Sequence, residues 1–295
     1  MNEAIKLSQD FYYLGARKIT LLGGEPTLYY QSDYRYLLTL VEELHNIGYT
    51  EIRIDTNGFF DEILLSYEKL KELCKLNFSL DGYNQETNDY LRSHGSFDVT
   101  IRNIIAALKA GFYVSITSCV HNFYVKHREK YNIVDMMKYC ENLGVKSLNF
   151  HVLLKHGIPM DAWTESVLIE YNDWENILQQ IRAELDRVQY KMEIRIPLQF
   201  VDLDTFNSNK SYYGFCPVKL GERVLVHPDG LIQICSAMIG SQYCIAKYHN
   251  NEIKWEEGFT NEAYDHKLNI DTPCTHRMKY IQNENIVPLC FSFKP

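Results

Sequence analysis

Short apolar runs alternate with longer segments of helical periodicity along the first half of the chain. The apolar runs predict five strands, at 19–25, 51–57, 77–81, 113–120 and 147–154. Between them, apolar residues recur at helical spacing over 34–47, 61–73, 97–110 and 132–143, and Gly48, Gly111 and Gly144 stand where three of these helices are expected to end. A repeated strand–helix unit predicts a parallel sheet with helices over one face, as in a full or partial barrel.

The pattern changes in the second half of the chain. A further helix is predicted over 165–188, followed by a strand-like stretch at 192–197 and a polar linker at 202–213. Short strands and turns come next, including a predicted hairpin over 223–235 with Asp229-Gly230 at its turn. We therefore predict a core domain over 1–205 and a small, hairpin-rich extension over 206–295.

Polar residues stand where the predicted strands end. Gly23-Gly24-Glu25-Pro26 closes the first apolar run, Asn57 closes the second, Asp81 the third and His151 the last. In barrels of parallel strands, function gathers at the carboxyl ends. Glycine lets a backbone approach a bound molecule closely, proline fixes the turn, and glutamate offers an acceptor to an ammonium group. The sequence therefore predicts a ligand site at this edge.

Composition and charge narrow the class of protein. With 295 residues, 46% of them hydrophobic and 23% charged, the chain is expected to be globular. A formal net charge of -8 argues against nucleic acid as a partner. No apolar stretch approaches the roughly 20 residues that span a bilayer, and the first residues lack a signal-peptide pattern, so we expect no membrane partner and a cytoplasmic location.

The order of several short motifs resembles one enzyme family. Gly-Gly-Glu-Pro is followed by Thr56-Asn57-Gly58, then by Ser79-Leu80-Asp81-Gly82, then by Arg92 and Gly95-Ser96-Phe97. This series resembles the core of the peptide- and protein-modifying radical S-adenosylmethionine (radical SAM) enzymes, including the anaerobic sulfatase maturases. The resemblance implies an α/β fold, a partial TIM-like (β/α)6 barrel that lacks its first strand here.

The resemblance also implies roles for residues at the strand ends. Glu25 and the backbone of Gly23 and Gly24 would accept from the ammonium group of S-adenosylmethionine, while Ser79 and Arg92 would meet its carboxylate. Asn57 would reach the ribose, and the segment 150–153 would lie along adenine. The alternative is that these motifs are ordinary turns without a ligand and that Arg92 is a solvated charge. The implied cofactor-binding residues are Gly23, Gly24, Glu25, Pro26, Asn57, Ser79, Asp81, Arg92, His151 and Leu153.

The eight cysteines divide into two groups. Cys74, Cys119 and Cys140 lie in periodic apolar segments and are predicted to pack in the core. The other five fall near the carboxyl terminus, where in a reducing cytoplasm a cluster suggests metal more than disulfide. Of these, Cys244 lies in a strand-like stretch and is predicted to be a packing residue.

The spacing Cys216-x13-Gly230-x4-Cys235 resembles the opening of the SPASM or twitch extension of radical SAM peptide maturases. This implies one auxiliary [4Fe-4S] cluster, for which four thiolates suffice. The remainder departs from that pattern, because Cys274 has no second cysteine two residues later. The alternative is a metal-free extension. The implied cluster ligands are Cys216, Cys235, Cys274 and Cys290.

The Cys-x3-Cys-x2-Cys motif that holds the radical SAM [4Fe-4S] cluster is absent from these 295 residues. The family places that motif ahead of Gly-Gly-Glu-Pro. We therefore expect either a fragment, which would bind the cluster once a missing amino-terminal segment is restored, or a degenerate relative that kept the scaffold.

Three hypotheses about function follow. The first is a radical SAM enzyme, or a fragment of one, that modifies a peptide or protein through a 5'-deoxyadenosyl radical, takes electrons from a flavodoxin or ferredoxin, and is inactive as given. The second is a non-catalytic relative that binds a peptide or a partner in the same groove. The third is a redox-independent barrel enzyme, for which Glu25 and Asp81 are the candidate acid–base pair.

Overall fold

The computed structural model describes residues 1–29, 33–153, 166–196, 199–209, 212, 223–233, 235, 244–256 and 285–289. The chain divides into two compact units. The first comprises 1–153 and 166–195, and the described residues from Ile196 onward belong to the second.

Six parallel strands form the sheet of the first unit, and their spatial order follows the chain. This order confirms the predicted α/β class and the strand–helix repeat. The first strand ends at Leu21, earlier than predicted, because Gly23 and Gly24 turn the chain with φ of 89° and 55°. The strands are β1 (Lys18–Leu21), β2 (Glu51–Thr56), β3 (Lys75–Ser79), β4 (Tyr113–Val120), β5 (Ser147–Val152) and β6 (Glu193–Arg195).

The helices of this unit follow the predicted periodicity closely. Gly48 and Gly144 end two of them in left-handed conformations, with φ of 115° and 83°. The helix predicted over 61–73 is two elements, since Tyr67 adopts an extended conformation between a 3-10 helix at Glu62–Ser66 and the next α-helix. The α-helices are α1 (Asn2–Tyr13), α2 (Pro26–Tyr29), α3 (Arg35–Ile47), α4 (Glu68–Leu73), α5 (Gln85–Asn88), α6 (Ser96–Lys109), α7 (Phe123–Lys126), α8 (Ile133–Leu143) and α9 (Tyr171–Arg187).

The two faces of the six-stranded sheet differ in chemistry. Strands that are buried on both faces usually read as continuous apolar runs, whereas β2 and β4 alternate. One face carries fully buried apolar side chains, and α3 and α6 pack against its strands. The other face is polar. The residues of the apolar face include Ile52, Ile54, Leu76, Phe78, Val114, Ile116, Leu148 and Phe150.

The second unit contains two small antiparallel sheets. Strand β7 (Gln199–Asp202) pairs with β12 (Ile286–Leu289), while β8 (Leu225–Val226), β9 (Leu231–Gln233), β10 (Ala246–His249) and β11 (Glu252–Trp255) form the other. The predicted hairpin is confirmed by the antiparallel pairing of β8 with β9.

The predicted polar linker at 202–213 is wrong at its start. Asp202 ends β7 and accepts from the backbone N–H groups of Asp204 and Thr205, which starts helix α10 (Leu203–Ser208). The chain passes from the first unit to the second after Arg195, earlier than the predicted boundary at residue 205. The division into a radical SAM-like core over 1–205 and an auxiliary-cluster extension over 206–295 stays a prediction. Among the described helices, none combines the length and apolarity needed to cross a membrane.

A single carboxylate starts helix α6. Asp89 accepts hydrogen bonds from the backbone N–H groups of Gly95 (2.6 Å) and Phe97 (3.0 Å) and from the Ser96 hydroxyl (2.9 Å). Burial raises the pKa of Asp89, but hydrogen bonds from Asn88, Phe97, Gly95 and Ser96 outweigh it and lower the pKa below its ordinary value. The carboxylate thus satisfies the free donors at the helix start.

We predict that Asp89→Asn destabilises the protein by about 1–2 kcal/mol at neutral pH, because the amide cannot accept at both former oxygens. Since the folded-state pKa is lowered, the stabilisation is present above the unfolded-state pKa and is lost as pH falls through the folded value. The difference between the two proteins should therefore shrink below about pH 4. Urea unfolding at several pH values measures it.

The control is Asp186→Asn, at an exposed position of α9. This variant should unfold at the wild-type urea concentration. Equal midpoints for Asp89→Asn and Asp186→Asn at neutral pH would contradict the prediction.

Candidate active site

Two consecutive glycines shape the loop after β1. Gly23 and Gly24 both have positive φ, which side-chain-bearing residues rarely adopt. A Cβ at either position would meet no atom within 4 Å. The backbone conformation, not crowding, therefore requires glycine here, and the space beside the loop is open.

Glu25 ties this loop to the end of β2. One carboxylate oxygen accepts from the backbone N–H (3.1 Å) and hydroxyl (2.7 Å) of Thr27, and the other accepts from the backbone N–H of Asn57 (2.6 Å). Pro26 begins α2 directly after it. A carboxylate has about four acceptor positions, so the oxygen facing Asn57 retains one for a ligand.

Asn57 is held on three sides. Its backbone N–H donates to Glu25, its side-chain oxygen accepts from the N–H of Phe59 (2.8 Å), and its carbonyl accepts from the Thr100 hydroxyl (2.8 Å). The turn that follows is held by Asn103, a fully buried residue of α6 whose amide donates to the carbonyls of Gly58 (2.7 Å) and Phe60 (2.9 Å). Sequence reasoning missed Asn103, because a single asparagine in a helical segment gives no signal.

Asp81 forms a buried ion pair with Arg92. Its side chain is 1% exposed, its second oxygen lies 2.6 Å from the Arg92 Nε, and its first accepts from the backbone N–H of Cys119 (2.7 Å). Burial raises the pKa of Asp81, opposed by Arg92 and by the Cys119 N–H. Arg92 keeps 26% of its side chain exposed. The geometry therefore makes Asp81 the group that positions Arg92, whose other guanidinium donors are free for an anion.

Asp81 cannot act in the acid–base pair of the third hypothesis, a redox-independent barrel enzyme. An acid–base pair needs both carboxylates to reach the substrate, whereas Asp81 is fully buried and paired inside the protein. Glu25 and Asp81 are therefore not an acid–base pair in this structure, and that interpretation is wrong.

The segment around Arg92 is anchored to β4 by buried groups. The Tyr124 hydroxyl donates to the carbonyl of Asp81 (3.2 Å), and His121 Nε2 lies 3.0 Å from the carbonyl of Thr87. Burial lowers the pKa of His121 to about 4, outweighing these carbonyls, so the ring is neutral at physiological pH. His121 is thus a structural residue of the core.

The remaining predicted residues lie at the ends of β3 and β5. Ser79 is half-buried on β3, and His151 is exposed on β5. Leu153 follows β5, with its N–H donating to the carbonyl of Val120 (3.4 Å) and its carbonyl accepting from Ile169 (3.2 Å). The structure joins Glu25 to Asn57, and Asp81 to Arg92; direct hydrogen bonds between these two pairs are not among the described contacts. Their assignment to a cofactor stays a prediction.

Cys119 differs from the prediction of a core cysteine. It is half-buried on the polar face of β4, in register with His151 on β5. Burial, together with the Asp81 carboxylate, raises its pKa to about 12, so it is a neutral thiol at physiological pH. The alternation along β4 places it there, because Val120 and Ser118 occupy the opposite face. Cys74 and Cys140 are buried as predicted.

Of the four predicted cluster ligands, Cys216, Cys274 and Cys290 lie outside the described residues, and Cys235 is half-buried. Cys244 is buried, as predicted, and its sulfur accepts from the Gln233 amide (3.8 Å). Within the described ranges, His, Cys, Asp and Glu form no group of three or more that is arranged to hold a metal ion.

We predict that Asp81→Asn destabilises the protein by about 3 kcal/mol or more, because the substitution leaves the Arg92 charge without its buried partner. The double variant Asp81→Asn/Arg92→Met should recover part of that loss, since no charge is then left unpaired. The free energy of unfolding from urea titration measures both effects.

The matched control is Glu193→Gln, which breaks an exposed pair with Arg195 whose side chains are 54% and 53% exposed. Solvent screens such a pair, so the cost should be within about 1 kcal/mol. A loss for Asp81→Asn no larger than that for Glu193→Gln would show that the buried pair does not stabilise this region.

The sequence and the fold of this chain are similar to those of known proteins. The sequence profile of the Radical SAM superfamily matches residues 1–140. A probable GTP 3',8-cyclase of Saccharolobus islandicus is 27% identical over 234 residues, which are 78% of this chain and 70% of the relative. A probable GTP 3',8-cyclase of Sulfurisphaera tokodaii is 25% identical over 268 residues, which are 88% of this chain and 79% of the relative.

Solved structures share the fold. Streptococcus suis SuiB superposes with a TM-score of 0.59 at 16% identity, covering 92% of this chain but only 59% of SuiB. The protein anSMEcpe with bound AdoMet superposes with a TM-score of 0.58 at 16% identity, covering 96% of this chain and 73% of anSMEcpe. Together with the parallel sheet and the loop after β1, the profile match identifies residues 1–140 as a radical SAM superfamily domain.

Proposed function

We propose that this chain is a radical SAM enzyme, or part of one, that modifies a peptide or protein substrate. The observation that carries the proposal is Glu25, which is fixed between Thr27 and Asn57 beside an open, glycine-shaped loop. Two proteins of similar fold bind peptides: SuiB is known bound to the precursor peptide SuiA, and anSMEcpe is known with AdoMet and the Cp18Cys peptide.

The residues at the loop fit S-adenosylmethionine. Glu25 retains an acceptor position for the ammonium group, and Arg92 retains donors for the carboxylate. When bound, S-adenosylmethionine supplies the radical that abstracts hydrogen from the substrate. The chain's own contribution is to hold the ammonium and carboxylate groups, which are attached to one carbon at the amino acid end of the ligand.

The residues described here do not fit the radical SAM cluster itself. The sequence contains no Cys-x3-Cys-x2-Cys motif, and the described residues offer no arrangement of three metal ligands. Cys74 and Cys140 are buried and Cys119 lies on another element, so the three thiols cannot converge on one metal centre. None of the described residues is therefore assigned to that cluster.

A nucleotide is the second candidate substrate, because the sequence relatives are named as probable GTP 3',8-cyclases. A triphosphate needs cations that are not already neutralised. Three cations on the polar face are paired with carboxylates, in Lys75–Glu51 (2.7 Å), Arg53–Asp55 (2.8 Å) and Arg195–Glu193 (2.6 Å). Because the carboxylates neutralise these three cations, the polar face favours a substrate without a strong net charge, such as a peptide. A non-catalytic peptide-binding relative would use the same surface.

We predict weak, Glu25-dependent binding of S-adenosylhomocysteine. Calorimetry should give a Kd no tighter than roughly the high-micromolar range, about -5 to -6 kcal/mol, because no cluster iron chelates the amino acid end. Glu25→Gln should weaken binding about tenfold by removing a charge-assisted hydrogen bond.

The control for this measurement is Glu129→Gln, at a position whose side chain is 95% exposed. It should bind as the wild type does. Nanomolar affinity, or equal affinity of Glu25→Gln and Glu129→Gln, would count against the proposed cofactor site.

We further propose that Cys216, Cys235, Cys274 and Cys290 hold one auxiliary [4Fe-4S] cluster. Anaerobic reconstitution should then give about four irons per chain, with the absorbance of thiolate-bound iron. Cys235→Ala should lose this iron, while Cys74→Ala, which removes a buried thiol of the first unit, should keep it. Background iron in the unmodified chain would rule out the cluster.

A further inference from the structure

Strand register aligns polar side chains in rows across the sheet. Residues paired in neighbouring parallel strands share a face. One row runs from β2 to β6 and the next runs from β3 to β6. The first row is Asp55, Asn77, Ser115, Ser147 and Glu193; the second is Ser79, Thr117, Asn149 and Arg195.

The residues in the middle of these two rows have small, uncharged side chains. We call its six residues the neutral floor; they are Ser79, Asn77, Ser115, Thr117, Ser147 and Asn149. Each carries a hydroxyl or a carboxamide on a short side chain. Asn77, Ser115, Ser147 and Asn149 are buried, while Ser79 and Thr117 are half-buried. A hydrophobic substrate would leave the remaining acceptor position of the half-buried Thr117 hydroxyl without a partner, which costs binding energy.

Buried residues of the neutral floor position the hydroxyl of Thr117. Asn77 is 2% exposed; its carbonyl oxygen accepts from the Ser115 hydroxyl (2.9 Å) and its amide donates to the Thr117 hydroxyl (3.0 Å). Asn149 is 8% exposed, and its amide donates to the carbonyl of Ile116 (3.3 Å). Thr117 is only half-buried. Its hydroxyl also donates to the Asn77 carbonyl oxygen (3.3 Å), so Asn77 orients it and one acceptor position is left for an N–H group of a ligand.

The charged residues that flank the neutral floor do not determine which ligand binds there. The ion pairs Glu51–Lys75, Arg53–Asp55 and Glu193–Arg195 flank it, and each neutralises itself. The hydrogen bond from Lys75 lowers the pKa of Glu51, and the hydrogen bond from Arg195 lowers the pKa of Glu193, so these two pairs stay ionised at neutral pH. Burial raises the pKa of Asp55 against the opposing effect of Arg53. Recognition at the floor thus depends on hydrogen bonds to an uncharged group.

We infer that the neutral floor binds an uncharged amide of the substrate, a peptide backbone or carboxamide group, with Thr117 as the residue that contacts it and Asn77 as the residue that positions Thr117. This inference rests on the proposed function, whose substrate class it specifies. It assigns substrate selection to Asn77, Thr117 and Asn149 in the middle of β3, β4 and β5. Ser79, at the end of β3, adjoins the residues expected to hold the cofactor's amino acid end.

The test is a titration of the full chain, labelled with 15N, followed by NMR. The probe is N-acetylglycine N-methylamide, an uncharged diamide; the comparison probe is inorganic triphosphate. We expect the diamide to give saturable shifts at the amides of Ser115, Thr117 and Asn149, and triphosphate to give none there. Thr117→Val should raise the dissociation constant about fivefold, the effect of losing one hydrogen bond, and Thr117→Ser should restore it.

The matched control lies on the same strand. Ser118 is fully buried on the opposite face and its hydroxyl has no hydrogen-bond partner, so Ser118→Ala should leave diamide binding unchanged. Three results would overturn the inference: no saturable shift at these amides, equal weakening by Thr117→Val and Ser118→Ala, or tighter binding of triphosphate than of the diamide at the floor.

A parallel titration with S-adenosylhomocysteine separates this inference from the proposed function. If that ligand binds in a Glu25-dependent manner while the diamide does not bind, the floor assignment is wrong and the cofactor site stands. If the diamide binds in a Thr117-dependent manner while S-adenosylhomocysteine does not bind, the floor assignment is supported and the proposed radical SAM activity is not.

Discussion

Parallel register is the constraint on which this structure depends. Because paired residues of neighbouring strands share a face, the alternation within each strand adds up across β1 to β6. The apolar halves form the surface on which α3 and α6 pack, and the polar halves form the opposite surface, where we propose that a ligand binds. A shift of one residue in any strand would exchange the two sets. The hydrophobic core therefore fixes the position of the polar side chains.

Local signals in the sequence predict the elements of this sheet well. Strand β4 has the predicted bounds, β2 and β5 differ only at their ends, and Gly48 and Gly144 end their helices as expected. Each of these features depends on neighbours within a few residues, which is the range over which periodicity and capping act. The Gly-Gly-Glu-Pro loop belongs to the same class, because its conformation is set by its own glycines.

Features that depend on residues far apart in the sequence cannot be predicted from such local signals. Asp81 and Glu25 look alike in the sequence, since each is a carboxylate at the end of a strand. One is buried against Arg92 and Cys119, while the other keeps an acceptor position free. The pairing of β7 with β12 joins segments more than eighty residues apart, and no local pattern records it. Cys119 is a different case, since the alternation along β4 is a local pattern and already places this thiol on the polar face.

In the proposed function, the carboxylate of Glu25 both stabilises the fold and binds the ligand. It joins the loop after β1 to the end of β2. A cation bound to this carboxylate would interact with the same oxygens that accept from the N–H groups of Thr27 and Asn57. Occupancy and local order are then linked thermodynamically, and the linkage is reciprocal: whatever orders the loop raises affinity by the same factor by which the ligand orders the loop. A change at Thr27, which would not touch the ligand, would alter affinity through this junction. With the proposed cofactor at Glu25, evolution could adjust cofactor affinity at this junction without changing a residue that contacts the cofactor.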